Sequence, residues 1–184
     1  MSEAGIADKR RHTRAAGVHI TWFQANVNFG DFATRLRERR MKSVVELDIN
    51  LRQAKVAELL TDPSNNPKWM DDIQRIEPIS GELGEPGSVY WLVPKHGQMV
   101  FVATVVTREL PSESRLSLDA PSVSVSVTGK LLKLSEEKTK LISEQVFRFK
   151  GAFNKVFGFL ARGAIKEAHR RHMVSFKRFA ESQG

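Results

Sequence analysis

Apolar and polar residues alternate along several short segments of the chain, and this period of two is typical of half-buried β-strands. In residues 43–49, Val45, Leu47 and Ile49 alternate with mostly polar positions, and residues 122–134 begin with valines that alternate with serines. Further runs occur at 73–79, 88–93, 99–108, 115–119 and 138–150, and breaks of hairpin length separate several of them. The pattern predicts a meander of about seven antiparallel strands.

A short helix is predicted directly after the first strand. Asn50 stands three residues before Gln53, which is the spacing of a capping box, and Val56 and Leu59 then fall on one helical face. The helix should end before Pro63, because a residue that precedes proline is disfavoured in the α conformation. Residues 63–72 are predicted to form a second short helix or turn.

The last predicted element is a long amphipathic helix over residues 153–180. At about 100° per residue, one broad arc of this helix is apolar apart from a single histidine. The arc contains Phe153, Phe157, Leu160, Ala161, Ala164, Ile165, Ala168, His172, Phe176 and Phe179. Met173 falls on the polar side, where it would mark a self-association surface or nothing. Because such a helix is not stable alone, its apolar arc should pack against the sheet.

The segment after the first strand carries a family resemblance. Residues 50–69, NLRQAKVAELLTDPSNNPKW, resemble the opening of the START-like (SRPBCC) superfamily of polyketide cyclases/dehydrases and lipid-transport proteins. One strand, two short helices, six strands and a long helix is the helix-grip order of that superfamily, and the resemblance covers residues 43–181. It implies an α+β fold in which a curved antiparallel sheet wraps around the C-terminal helix and leaves a hydrophobic tunnel between them.

Composition narrows the class of protein. The chain has no cysteine, which excludes disulfides and thiolate metal sites and suits a reducing cytoplasm. No apolar run approaches the ~20 residues of a membrane-spanning helix, and no signal peptide is visible at the N-terminus. We therefore expect a cytoplasmic protein.

The net charge of +8 is concentrated near the N-terminus, where residues 1–42 hold nine Lys and Arg against four Asp and Glu. We interpret residues 1–42 as a basic, loosely ordered extension and residues 43–184 as a START-like ligand-binding domain. Charge runs usually mark solvated tails, so this interpretation is favoured over an arm that contacts nucleic acid or an anionic membrane. The choice between a monomer and a homodimer stays open.

The last strand indicates which side chains line the tunnel that the resemblance implies. Leu141, Ser143, Gln145 and Phe147 share one face, and the opposite face is charged. Ser143 and Gln145 should therefore point inward, where backbone groups, buried water or a polar group of a ligand would satisfy them. The predicted ligand-binding residues are Trp69, Tyr90, Phe101, Ser143, Gln145, Phe147, Phe157, Ile165 and His172.

Two histidines near the C-terminus are the candidates for metal or acid–base chemistry. His169 and His172 have i, i+3 spacing, but without a third ligand they form an incomplete metal set, so neither a metal nor a cofactor is expected. A histidine on an apolar helix face is more often a hydrogen-bonded wall residue than a catalyst.

Two functions are compatible with these residues. The favoured one is binding or transport of a hydrophobic small molecule, such as a lipid, an isoprenoid or an aromatic polyketide, in the internal cavity. The alternative is a cyclase/dehydrase-type enzyme, in which His172 would act as general acid or base and Ser143 or Gln145 would orient an oxygen. A third hypothesis makes the basic extension a docking arm on nucleic acid, ribosome or membrane.

Overall fold

Seven antiparallel strands form one sheet in the computed structural model, which describes residues 40–96, 99–151 and 160–184. In chain order the elements are β1 (Met41–Ile49), α1 (Gln53–Thr61), a 3₁₀ turn (Pro63–Asn65), α2 (Asn66–Trp69), β2 (Ile73–Ser80), β3 (Val89–Pro94), β4 (Phe101–Glu109), β5 (Glu113–Asp119), β6 (Val123–Ser135), β7 (Lys138–Phe149) and α3 (Arg162–Glu181). The order is the predicted one, and each strand boundary lies within two residues of its predicted position.

The strands β2 to β7 follow one another as a meander, and β1 completes the sheet by pairing with β7. In that pair Val45 lies opposite Ser143, and Leu47 lies opposite Leu141. β1 and β2 are therefore the edges of the sheet. β2 contains Pro78, and its pairing with β3 is interrupted by two register shifts. With α3 packed on β1, α1 and α2, the molecule has the helix-grip fold that the sequence predicts.

The core joins the inner face of the sheet to the helices. Ile49 of β1 and Leu141 of β7 form one buried cluster with Val56 of α1 and Phe176 of α3. The ring of Trp69 meets that of Phe176 edge-on, with ring centroids 5.3 Å apart. Full burial of an aliphatic or aromatic side chain of this size contributes about 1.5–3 kcal/mol, so this cluster is the main attachment of the helices to the sheet.

The start of α1 differs from the prediction. The N-cap position is occupied by Arg52, whose side chain makes no capping hydrogen bond. The backbone N–H of Asn50 donates to Glu181 Oε1 at 2.8 Å, and the Gln53 side chain donates to the Leu131 carbonyl at 3.0 Å. The predicted capping box is therefore wrong, because both groups are engaged in contacts with distant parts of the chain. The predicted stop before Pro63 is confirmed.

The buried face of α3 also differs from the predicted arc. His169, Met173, Phe176 and Ala180 are its buried residues, spaced i, i+4, i+7 and i+11, whereas Leu160 at the start of the arc is 76% exposed. Met173 is 5% exposed, so it belongs to the core and marks no association surface. The predicted arc left out His169, whose contacts with two serine hydroxyls allow its ring to lie within the buried face.

Several expectations concern residues outside the described ranges. Residues 1–39, which make up nearly all of the predicted basic extension, lie outside them, as do residues 152–159, where the long helix was predicted to begin. β1 starts at Met41, two residues before the predicted domain start. No helix within the described ranges has the length and apolar content needed to cross a bilayer.

Candidate ligand-binding cavity

A cavity of about 130 Å³ lies between the inner face of the sheet and the three helices. All strands of the sheet except the edge strands β1 and β2 contribute to the part of its wall that the structure describes. The lining residues are Leu60, Thr61, Pro63, Asn66, Trp69, Met70, Gly84, Tyr90, Leu92, Val105, Thr107, Arg108, Ser114, Arg115, Leu116, Leu118, Val127, Gly129, Leu141, Ser143, Gln145, His172 and Met173.

The wall is apolar over most of its area because the strands present alternate residues to it. Leu116 and Leu118 of β5 lie two residues apart, and Leu116 stands opposite Val127 of β6 in the register. Two glycines create part of the free space. A Cβ on Gly84 would come within 3.1 Å of Pro63, and a Cβ on Gly129 within 3.1 Å of the Ser114 hydroxyl. Side chains at these positions would therefore narrow the cavity.

A buried hydrogen-bonded group lies behind one wall. His169 of α3 is 1% exposed, and its Nδ1 lies 2.9 Å from Ser43 Oγ of β1 while its Nε2 lies 2.9 Å from Ser143 Oγ of β7. Burial lowers the pKa of His169 to about 4, and the charge of His172 acts in the same direction. The ring is therefore neutral at pH 7, so one serine donates to it and the other accepts from it. Ser143 connects this Ser43–His169–Ser143 group to the cavity.

His172 occupies a different environment, one turn further along α3. It lines the cavity, and its Nε2 lies 3.1 Å from Asp72 Oδ1. The two atoms are close enough for an ion pair, but the contact does not meet the angular requirement of a hydrogen bond. Contact with His172 lowers the pKa of the Asp72 carboxyl. The arrangement therefore favours an ionised Asp72 carboxylate beside the imidazole.

Polar atoms without protein partners occur on residues of the cavity wall. In the described part of the molecule, Trp69 Nε1 and Thr107 Oγ1 are buried and have no hydrogen-bond partner. The nearby phenol of Tyr90 lies beside the Asn66 side chain, and burial raises its pKa to about 12. A buried polar group that lacks a partner costs about 1–3 kcal/mol. Water or a ligand would remove that cost at Trp69 and Thr107.

Two arginines line the cavity where β4 and β5 pair. A bulge at Val106 places Thr107 opposite Arg115, and the next pair is Arg108 with Ser114. Bulges re-aim side chains, and here strict alternation after Val105 would have turned Arg108 to the outer face, whereas the bulge places it opposite Ser114 of the inner face. Arg115 lies opposite Thr128, in the row of the outer-face residue Glu144. Both guanidinium groups have acidic partners that do not line the cavity. Arg108 pairs with Glu85, and Arg115 Nε lies 2.6 Å from Glu113 Oε1.

The structure brings together five of the nine predicted site residues. Trp69, Tyr90, Ser143, Gln145 and His172 line the cavity, and the predicted inward phase of β7 is observed. Whether they contact a ligand stays a prediction.

Three other predicted residues lie away from this cavity, and one is outside the described ranges. Phe147 packs with Val123 and Val125 and stacks on Phe149, and Phe101 packs both on that cluster and on the one that contains Tyr90, without being among the lining residues. Ile165 is half-buried on α3 but does not line the cavity. Phe157 belongs to the residues that the structure does not describe. Phe101 and Phe147 therefore occupy ordinary core positions.

The sequence analysis missed the arginines and the role of His169. No signal in the sequence locates the bulge that turns Arg108, whereas Ser43 does share a strand face with Val45 and Ile49 and could have indicated a buried polar partner. Within residues 40–96, 99–151 and 160–184, no three His, Asp or Glu side chains are grouped as metal ligands would be.

Comparison with known proteins identifies the family. The profile described as polyketide cyclase / dehydrase and lipid transport matches residues 40–181. The chain belongs to this family. The match to the polyketide cyclase/dehydrase and lipid transport family includes every described helix and strand and leaves out only the last three of the described residues. No curated protein sequence matches the chain.

Solved structures share the fold of this family member at low sequence identity. A START superfamily protein from Mycobacterium smegmatis is 14% identical with a TM-score of 0.66, covering 78% of this chain and 99% of that one. The Zhui aromatase/cyclase from Streptomyces sp. R1128 is 16% identical with a TM-score of 0.62, over 78% and 93%. A hypothetical protein from Helicobacter pylori is 14% identical with a TM-score of 0.60, over 94% and 99%. At these identities the similarity concerns the fold.

Proposed function

We propose that the protein binds a small, largely apolar molecule in the cavity between the sheet and α3. The observation that carries this proposal is the cavity itself, which is lined mainly by aliphatic and aromatic side chains with a few polar groups among them. Small-molecule sites usually have this composition. The unpartnered atoms Trp69 Nε1 and Thr107 Oγ1 support the proposal, because both would be satisfied by an oxygen of a ligand.

The size of the cavity limits what can be enclosed. An engineered apolar cavity of about 150 Å³ accepts benzene, so the ~130 Å³ between the described residues suits the ring or short chain of a ligand. A longer isoprenoid or a fused-ring polyketide would extend beyond this space. Membership of the family is compatible with either binding or catalysis and does not choose the ligand.

A matched pair of substitutions tests the proposal. Val127→Phe places a larger side chain on the cavity wall, whereas Val106→Phe makes the same change at a residue that is 50% exposed. Binding is measured by native mass spectrometry and thermal shift against a fatty acid, an isoprenoid alcohol, and single-ring and fused-ring aromatics. We expect Val127→Phe to weaken binding of any ligand at least tenfold and Val106→Phe to leave it unchanged. Circular dichroism shows whether both variants are folded.

Two results would contradict the proposal. One is that the wild-type protein carries no co-purified small molecule and binds no member of the panel. The other is that a folded Val127→Phe variant binds as tightly as the wild type. The second result would mean that the ligand lies elsewhere on the protein.

The contact between Ser143 and His169 favours an enzyme as a second candidate. A neutral imidazole 2.9 Å from a hydroxyl on the cavity wall is a geometry that can move a proton to or from a bound molecule. His172, the predicted acid or base, also lines the cavity. The test is to incubate the molecules that bind with wild-type protein and to follow loss of water by mass spectrometry. His172→Ala and His169→Gln variants then separate the roles of the two histidines, and full turnover in both would exclude histidine catalysis.

A further inference from the structure

One row of small residues crosses the inner face of the sheet at the cavity. The strand register places Ser114 of β5 opposite Gly129 of β6, and Gly129 opposite Ser143 of β7, and all three line the cavity. Among the described residues other than its chain neighbours, only Ser114 Oγ and Leu60 Cδ2 would lie within 4 Å of a Cβ on Gly129. The space over Gly129 is therefore open between two serines whose strands are about 10 Å apart.

Two polar side chains beside this opening have no protein partner. The Ser114 hydroxyl and the Gln145 amide make no hydrogen bond to the part of the chain that the structure describes. Gln145 follows Ser143 by two residues on the inner face of β7, diagonally across from Gly129. Ser114 and Gln145 are both half-buried, so a molecule in the cavity can reach their polar atoms. The Ser143 hydroxyl differs, because it is already paired with His169.

The charges of the cavity wall are already compensated. Each basic residue of the described lining contacts a carboxylate that is not part of the lining, and the pairs are Arg108 with Glu85, Arg115 with Glu113, and His172 with Asp72. A ligand carboxylate would therefore find no cation without a partner among the described lining residues. Burial of an unpaired carboxylate costs far more than burial of a hydroxyl or carbonyl that is hydrogen bonded. The wall thus favours an uncharged polar group.

We propose that the ligand has a compact apolar body and an uncharged oxygen group, a hydroxyl or a carbonyl, that lies over Gly129 within reach of the Ser114 hydroxyl and the Gln145 amide. This inference rests on the proposed function and specifies the ligand class for the same site. A glycine inside a strand often marks a place where a ligand approaches the backbone closely. A serine hydroxyl and a glutamine amide can each donate and accept, so both kinds of oxygen are suited to them.

Three probes that share one ring and one attached carbon test the ligand class. They are benzyl alcohol, toluene and benzoate, which differ in carrying a hydroxyl, no polar group or a carboxylate. Dissociation constants are measured by NMR titration of the full chain at pH 7. We expect benzyl alcohol to bind about tenfold or more tightly than benzoate, because the carboxylate is buried without a free cation. Benzyl alcohol should also bind at least as tightly as toluene, since its hydrogen bonds offset the desolvation of the hydroxyl.

Substitutions assign the effect to the two polar side chains. Ser114→Ala and Gln145→Leu should each weaken benzyl alcohol about fivefold or more and leave toluene within a factor of about two. Ser126→Ala is the matched control, because it makes the same change at an exposed serine on the outer face of β6. Both cavity variants remove a polar group that has no partner in the described chain, so they should fold, and thermal unfolding verifies this.

The outcomes separate this inference from the proposed function. If toluene binds but benzoate equals or exceeds benzyl alcohol in affinity, the apolar site stands and the assignment of an uncharged oxygen group is overturned. The assignment is also overturned if either folded cavity variant binds benzyl alcohol like the wild type. If none of the three probes binds, a ring-sized apolar site is refuted and the assignment falls with it.

Discussion

Replacement of His169 by glutamine should remove a large part of the pH dependence of stability. His169 is fully buried between Ser43 and Ser143, and its pKa of about 4 compares with 6.5 for an unperturbed histidine. The unfolded chain therefore binds a proton at this residue between pH 6.5 and 4, and the folded chain does not. Where the unfolded state binds more protons than the folded state, the free energy of unfolding decreases as the pH is lowered. Acidification from pH 6.5 to pH 4 therefore destabilises the wild-type protein.

The magnitude follows from the size of the shift. A difference of about 2.5 pKa units at 1.36 kcal/mol each costs roughly 3 kcal/mol at pH 4, and the cost is absent above about pH 6.5. Glutamine does not titrate. At pH 7, His169→Gln should lose about 1–3 kcal/mol, because glutamine cannot satisfy both serine hydroxyls as the imidazole does. On acidification the difference between the two proteins should shrink and can change sign.

Urea unfolding followed by tryptophan fluorescence at several values between pH 7 and pH 4.5 measures this difference. The Asp72 carboxyl, whose pKa is lowered, is present in both proteins, so its titration is largely cancelled in the comparison. His96→Gln is the control, since it makes the same change of side chain at an exposed position. Parallel profiles for wild-type and His169→Gln over the whole range would refute the assignment of a neutral buried His169.

Two further predictions concern the cavity wall. Gln145→Leu should leave the unfolding free energy unchanged or slightly higher and weaken a ligand with a polar head by about 1–2 kcal/mol. Glu144→Gln, on the outer face beside Lys42, should change binding very little, and similar losses from both would mean that the inward face of β7 is misassigned. Thr107→Val should raise the stability of the ligand-free protein by up to about 1 kcal/mol, because it removes an unpartnered buried hydroxyl. Denaturant unfolding measures this change in the free energy of unfolding, and a clear loss of stability would show that the Thr107 hydroxyl has a hydrogen-bond partner.

The fold could be predicted from the sequence because its signals are local. Alternation in β1 and β6, the Asp62-Pro63 stop and the short breaks between strands each report a nearby conformation. Resemblance at residues 50–69 then placed these elements in the helix-grip order. The predicted capping box is wrong because the contacts that decide it are not local. Gln53 and Asn50 have the right spacing, but the chain uses their polar groups in contacts with residues 78 and 131 positions away.

The site depended on information that the sequence pattern does not contain. Strand alternation located Ser143 and Gln145 on the wall, yet a single bulge at Val106 changed the face of Arg108. His169 is absent from the predicted apolar arc because its burial depends on two serines from other elements, which are brought together only by the pairing of β1 with β7. Site residues fixed by irregular geometry or by long-range polar contacts therefore escaped the analysis.

The pairing of β1 with β7 has a consequence for the order in which the protein can assemble. β1 has one sheet neighbour within the described strands, and that neighbour begins at Lys138, 89 residues after Ile49. At synthesis rates of about 5–20 residues per second, β1 waits roughly 4 to 18 s before its partner is made. The strands β2 to β6 can pair during that interval, since each follows its neighbour directly. The cavity is therefore the last part of the domain to be enclosed, and a nascent chain cannot retain a ligand until β7 and α3 have left the ribosome.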